Sequence, residues 1–158
     1  MNMRVGIGVD AHALAEGVPL VLGGVALDHP RGLAGHSDGD VLAHALTDAL
    51  LGAAGLGDIG ALFPSDDERY RGADSIELLR EAYRQVQETG WTLVNADCVL
   101  IGQEPKIAAH RDAMRGRLSE AVGGGEVNVR ATTTDHLGFT GRGEGLAAHA
   151  VALLERVS

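Results

Sequence analysis

Asp10 and His12 stand two residues apart in Asp10-Ala11-His12, so on an extended strand both side chains leave one face and can grip a single ion. His44 supplies a third donor from the polar flank of the helix expected to follow. One carboxylate oxygen and two imidazole nitrogens suit tetrahedral zinc with its fourth position open to water or substrate, the pattern of a catalytic metal. Taken singly, each histidine reads as well as a surface or satisfied core residue; the three together favour the metal. Asp48, four residues beyond His44, shares its side of the helix and reads as a residue supporting the metal or substrate, or as a solvated carboxylate. Thr132-Thr133-Thr134-Asp135 puts three hydroxyls and a carboxylate at a strand end, suited to phosphate and a second cation, although strand propensity accounts for the threonines too. Lys106, after Pro105, is expected in the first turn of a helix, where a cation is unfavourable unless it faces an anion.

The positioning elements follow from periodicity. Arg4 to His12 alternates as a strand, and Leu20 to Leu27, broken by Gly23-Gly24, reads as a short hairpin or kinked strand. Ser37 with Asp40 resembles a capping box, ahead of an apolar helix face of Leu42, Ala45, Leu46, Ala49, Leu50 and Ala53 that Gly55 and Gly57 end. Residues 57–67 carry the turn chemistry of either an ordered ligand loop or a plain connection. A second helix runs from Asp74 or Ser75 to Gly90, and Trp91 to Ile101 is a strand expected to be buried on both faces. A third helix from Pro105 to Val122, a strand from Val127 to Thr133 and a final helix from Glu144 to Val157 complete the chain. The glycines of 138–145 match neither a Walker loop nor a dinucleotide fingerprint. The order β, β, α, α, β, α, β, α predicts an α+β, two-layer fold with helices on one face of a mixed, mainly four-stranded sheet. The bare sheet face then calls for a homo-oligomer.

At 158 residues and 45% hydrophobic content the chain is expected to be a single domain over 1–158. A net charge of −9 opposes nucleic acid and anionic membrane surfaces, so any phosphate must be met by local devices. Cys98 is the only cysteine, which excludes an intrachain disulfide and points to the cytoplasm; no targeting signal or apolar membrane span is visible.

Several stretches together resemble the 2-C-methyl-D-erythritol 2,4-cyclodiphosphate synthase family, in order from about Arg4 to Glu155. They are Asp10-Ala11-His12, His36-Ser37-Asp38-Gly39-Asp40, His44 to Gly52, Gly57-Asp58-Ile59-Gly60, Leu62-Phe63-Pro64, Gly72 to Ser75, Pro105-Lys106, Ala131 to Thr134 and Leu137 to Gly145. The resemblance implies a phosphorus–oxygen lyase that cyclises 4-diphosphocytidyl-2-C-methyl-D-erythritol 2-phosphate, with release of CMP, in the non-mevalonate isoprenoid pathway. It implies a homotrimer, its sheets round a central axis and its active sites between subunits. It assigns zinc to Asp10, His12 and His44, and a second cation, magnesium or manganese, to Asp135. His36 and Thr133 would stabilise the transition state, and His36 and Ser37 would lie over the substrate beside Asp10, Ala11 and His12. Asp48, Asp58, Ile59, Gly60, Phe63, Pro64, Ser65, Asp66 and Asp67 would hold the methylerythritol end. Gly102, Gln103, Glu104, Pro105, Lys106 and Ile107 would clasp cytidine from a neighbouring subunit, and Thr132, Thr133, Thr134 and Asp135 would meet the phosphates. Phe139 and Arg142 would line an axial cavity for isoprenoid diphosphates, or Arg142 would form a salt bridge to Glu144.

Four positions depart from that family's pattern. Gly35 replaces an alanine, Asp135 a glutamate one methylene longer, and His136 a lysine; His149, in place of an acidic residue near the axis, argues against the axial ligand. The rival readings are a zinc phosphohydrolase, which would put solvent oxygen into its products, and a nucleotide- or isoprenoid-diphosphate-binding protein without turnover.

Overall fold

The alternation of Val5, Ile7 and Val9 with Gly6 and Gly8 belongs to a strand longer than the pattern marks. In the computed structural model, which describes residues 2–157, that strand, β1, spans Met3–Glu16. A hairpin of β2 (Leu20–Leu22) and β3 (Val25–Leu27) turns through Gly23 and Gly24, both at positive φ, and β4 (Arg31–Leu33) pairs antiparallel with the end of β1. Helix α1 (Val41–Ala54) is followed by a short α2 (Ile59–Leu62), then α3 (Ser75–Glu88), β5 (Trp91–Ile101) and α4 (Arg111–Ala121). Strand β6 (Glu126–Thr132), a short α5 (Gly138–Gly141) and β7 (Gly145–Arg156) end the chain. The main sheet is mixed and five-stranded, in the order β4-β1-β7-β5-β6. β7 runs antiparallel to both β1 and β5, and β5 and β6 are parallel.

The last strand is the largest departure from the periodicity reading. Residues 144–157, expected as a helix, form the centre of the sheet instead. Leucine and alanine favour helix locally, but Leu146, Ala148, Ala150, Ala152 and Leu154 are buried on one face while His149 and Val151 are exposed on the other, which is strand alternation. No helix starts at Pro105: α4 begins at Arg111 after a 3-10 turn over Ala108–His110, so Lys106 lies on a loop and the dipole argument does not apply to it. The cap of α1 is Asp40, whose carboxylate accepts from Ala43 N, and not Ser37. Strand β5 is buried on alternate residues, so only one of its faces is covered by the helices.

Small residues set the spacing between β1 and α1. A Cβ at Gly6 would lie 2.0 Å from the Ala49 carbonyl oxygen, and one at Gly8 would lie 1.9 Å from that of Ala45. Ala45, Ala49 and Ala53 on the helix face the same contact, and Leu42, Leu46 and Leu50 are fully buried. Asp40 fastens the start of α1 to the hairpin as well, accepting from Gly23 N at 2.9 Å and Gly24 N at 2.8 Å; burial pushes its carboxyl up to about 6. On the far face of the sheet Val5, Ile7 and Val9 are 68%, 65% and 54% exposed, an apolar stripe the helices do not cover.

The packing predicts that Gly8→Ala lowers stability by about 1–3 kcal/mol or more, since the helix must retreat from the strand. At Gly52, an exposed α1 position whose Cβ would meet nothing nearer than Ile7 O at 3.9 Å, alanine should instead raise stability by roughly 0.5–1 kcal/mol. Urea unfolding of the two variants checks both signs.

Candidate active site

The register between β1 and α1 determines what meets at the helix start. Gly6 lies against Ala49 and Ala53, and Gly8 against Ala45 and Ala49. Two strand residues advance about 6.7 Å and four helix residues about 6 Å, so the next inward positions, Asp10 and His12, arrive beside the first turn of α1. His44 is there. It is only 8% exposed and faces the strand, not a solvated flank as its place off the apolar stripe suggests.

The three donor atoms converge. Asp10 Oδ2 lies 2.9 Å from His12 Nε2 and 3.0 Å from His44 Nδ1, and the two nitrogens are 3.5 Å apart. Tetrahedral bonds of about 2.1 Å hold ligand atoms about 3.4 Å apart, so the cluster fits a small divalent ion after shifts of a few tenths of an ångström. Burial pushes the Asp10 carboxyl upward, but hydrogen bonds from His12 and His44 outweigh it and hold it at about 2. His12 is raised by its hydrogen bond to Asp10, against the effect of burial, and a hydrogen bond to the Ala34 carbonyl adds to the rise. A methyl at Gly35 would sit 3.2 Å from His12 Cε1, so glycine there leaves the ring room.

The cluster lies in the wall of a cavity of about 550 Å³, which His36, Ser37, Ile59, Gly60, Phe63, Pro64, Ser65 and Asp66 also line. Tyr70 and Leu78 line it too; their contribution lay hidden in a surface turn and a helix stripe. His36 donates from Nε2 to the Asp67 carbonyl at 3.0 Å, which ties the two sides of the mouth together. Asp48 and Asp58 are among the residues expected at the substrate but turn their carboxylates to backbone: Asp48 accepts from Ile59 N at 2.7 Å and Asp58 from Ala61 N at 2.8 Å. Burial raises the Asp48 pKa. The Asp67 carboxylate pairs with Arg69, and Ala11 lies on the opposite face of β1, beside Phe139.

The remaining expected residues gather elsewhere. Gly102, Pro105, Lys106, Ile107, Thr132 and Thr133 line a second cavity of about 250 Å³, together with Arg111, whose place inside the expected third helix gave no signal. Gln103 Oε1 accepts from Thr134 N and His136 N, joining the β5–α4 loop to the turn that carries Asp135, and Glu104 lies on an adjoining cavity. Thr134 donates its hydroxyl to Leu137 O at 2.8 Å, and Asp135 takes a left-handed backbone, φ 52°. Arg142 pairs with Glu144 at 2.8 Å, the salt-bridge alternative. The metal cluster and the second cavity share no lining residue.

A carboxylate and two imidazoles at the meeting of a strand and a helix, opening on a cavity, define an α+β protein with a site that could hold a metal ion. The chain belongs to the YgbB family, whose model matches residues 3–155. The 2-C-methyl-D-erythritol 2,4-cyclodiphosphate synthase of Moorella thermoacetica is 59% identical over 154 residues, 96% of this chain and 94% of its own. The bifunctional IspDF from Campylobacter jejuni superposes with a TM-score of 0.94 at 45% identity over 99% of this chain, which spans 43% of that longer protein. IspF of Plasmodium falciparum, solved as a CDP complex, gives a TM-score of 0.85 at 30% identity over 99% of this chain and 98% of its own.

Metal binding must displace any proton on His12, whose pKa lies above 6.5, whereas Asp10 is already ionised. With zinc as the probe, calorimetry in buffers of different ionisation enthalpy should show more proton release at about pH 6 than at about pH 8, with weaker binding at the lower pH. In the metal-free chain the signs differ by group. The Asp10 contribution to stability is present above pH 3.8 and lost as pH falls towards 2; that of His12 is present below 6.5 and lost as pH rises through its raised value.

Proposed function

We propose the following division of labour for the cyclisation this chain catalyses, from 4-diphosphocytidyl-2-C-methyl-D-erythritol 2-phosphate to 2-C-methyl-D-erythritol 2,4-cyclodiphosphate and CMP, a step of the non-mevalonate isoprenoid pathway. The convergence of Asp10, His12 and His44 on one point of a cavity wall is the observation that carries the reading. Those three side chains hold zinc, and Asp135 holds magnesium or manganese. Bound there, the cations supply Lewis-acid neutralisation of the diphosphate.

An oxygen of the substrate's own 2-phosphate forms the new bond to the β-phosphorus, and the bond to the CMP phosphate breaks, its electron pair leaving with CMP. No side-chain nucleophile is required, and Cys98 is unsuited to be one: it is buried, which pushes its thiol up to about 12. The chain's work is to fold a flexible polyanionic substrate into line. His36 and Thr133 donate hydrogen bonds to the phosphoryl groups as charge builds. Ser37, Ile59, Gly60 and residues 63–67 surround the methylerythritol end, with Asp48 and Asp58 acting through the loop they hold. Gly102 to Ile107 clasp the cytidine, and Thr132 to Asp135 meet the phosphates.

The cytidine clasp comes from a neighbouring copy in a homotrimer. Separate cavities for the metal end and the cytidine end support this, as does the apolar stripe of Met3, Val5, Ile7 and Val9 on the bare face of the sheet. We assign Arg142 to its salt bridge with Glu144 and not to an axial ligand. The working unit is one domain over 1–158, and we place it in the cytoplasm, where a lone buried thiol stays reduced. Among the described residues no helix is long and apolar enough to cross a membrane.

Phosphorus NMR of the diphosphocytidyl substrate with the protein, zinc and magnesium should show a cyclic diphosphate and CMP, with no oxygen from labelled water in either product. Labelled products would indicate hydrolysis, and unchanged substrate would remove the activity; His44→Ala should leave the substrate intact. For the assembly, Ile7→Lys on the exposed stripe is expected to yield folded monomers in sedimentation with activity lost, and an active monomer would exclude a shared site.

A further inference from the structure

His44 is held from behind as well as in front. Its Nδ1 faces Asp10, while its Nε2 lies 2.7 Å from the Ser75 hydroxyl and 3.1 Å from that of Ser37. Ser75 is the first residue of α3 and is fully buried. Its hydroxyl makes a short hydrogen bond to Asp38 Oδ1, and its backbone N–H donates to Asp38 Oδ2 at 3.1 Å. The loop carrying Asp38 is itself fixed: Asp38 Oδ1 accepts from Asp40 N at 3.1 Å, and Asp38 N donates to Ala73 O at 3.2 Å.

The bonds behind the ring have a fixed direction once Nδ1 is given to the ion. A carboxylate only accepts, so the Ser75 hydroxyl donates to Asp38. What remains to Ser75 Oγ is a lone pair, and that lone pair accepts from His44. With Nδ1 given to the ion, the imidazole proton is therefore on Nε2; without the ion, Nδ1 faces the Asp10 carboxylate at 3.0 Å, which can only accept. Capping does not explain the serine. Asp74 already caps α3, accepting from Ile76 N at 2.9 Å, so the Ser75 hydroxyl is spared for the histidine.

We propose that Ser75 and Asp38 are positioning residues for the metal centre, a relay from carboxylate through hydroxyl to imidazole that fixes the ring orientation of His44 and accepts its Nε2 proton when Nδ1 binds the ion. Neither residue belongs to the substrate-contacting set. The inference rests on the reading that Asp10, His12 and His44 hold zinc. A histidine ligand whose far nitrogen is anchored binds metal more tightly because its rotamer is set before the ion arrives and its far N–H is satisfied afterwards.

The test titrates zinc into the metal-free protein, with affinity measured by competition against a chromophoric chelator and folding checked by urea denaturation. Ser75→Ala should weaken zinc about 10- to 100-fold. Asp38→Asn keeps a carbonyl that can accept the serine proton, so its loss should be smaller than that of Ser75→Ala. Zinc affinity of Ser75→Ala within about twofold of wild type would overturn the relay. Failure of the wild-type chain to bind zinc overturns the metal reading itself and is seen in the same titration.

Discussion

The close approach of β1 and α1 is the constraint on which the site depends. Gly6 and Gly8 let the carbonyls of Ala45 and Ala49 come within a distance that no side chain on the strand would allow. That contact sets both the separation and the register of the two elements. Once Gly8 is opposite Ala45, Asp10 and His12 come level with the first turn of the helix, and His44 meets them. The hairpin, through Asp40, and α3, through Ser75, then bind that same turn from two further sides. Packing and chemistry are thus one arrangement: the glycines that permit the helix to settle also assemble the ligands.

Electrostatics explains how a chain of net charge −9 can serve a substrate that is itself an anion. A divalent ion on a single carboxylate and two neutral imidazoles retains a positive charge, and Asp10 is ionised well below neutrality because the two imidazoles outweigh its burial. The neighbouring carboxylates are spent on structure. Asp40 caps α1 and ties down the hairpin, Asp48 and Asp58 hold backbone N–H groups of the loop, Asp67 pairs with Arg69, and Asp38 turns to Ser75. Acidity that would repel a diphosphate is in this way kept out of its path.

Much of the site could be read from residue types because its signals are local. Asp10 and His12 obey the two-residue rule of a strand, and His44 with Asp48 the four-residue rule of a helix. The helices α1 and α3, the glycine hairpin and the ends of β5 were visible for the same reason. Strand β7 was not. Its alanines and leucines favour helix in isolation, and only a place between β1 and β5, under a helix that demands small side chains, makes them a strand. Ser75 and Asp38 carry no local signal, because a serine at a helix start and an aspartate in a turn look like caps; the bonds of Ser75 to His44 and to Asp38 join residues 31 and 37 positions apart. Asp48 lay on the expected side of its helix but works through Ile59, a contact that loop closure alone creates.

The most direct test of the metal centre is anomalous diffraction at the zinc edge from crystals of the zinc-loaded protein. One peak per chain is expected, bonded to Asp10 Oδ2, His12 Nε2 and His44 Nδ1 with a fourth position facing the cavity. A peak away from these three atoms, or none in crystals grown with excess zinc, would contradict the central claim.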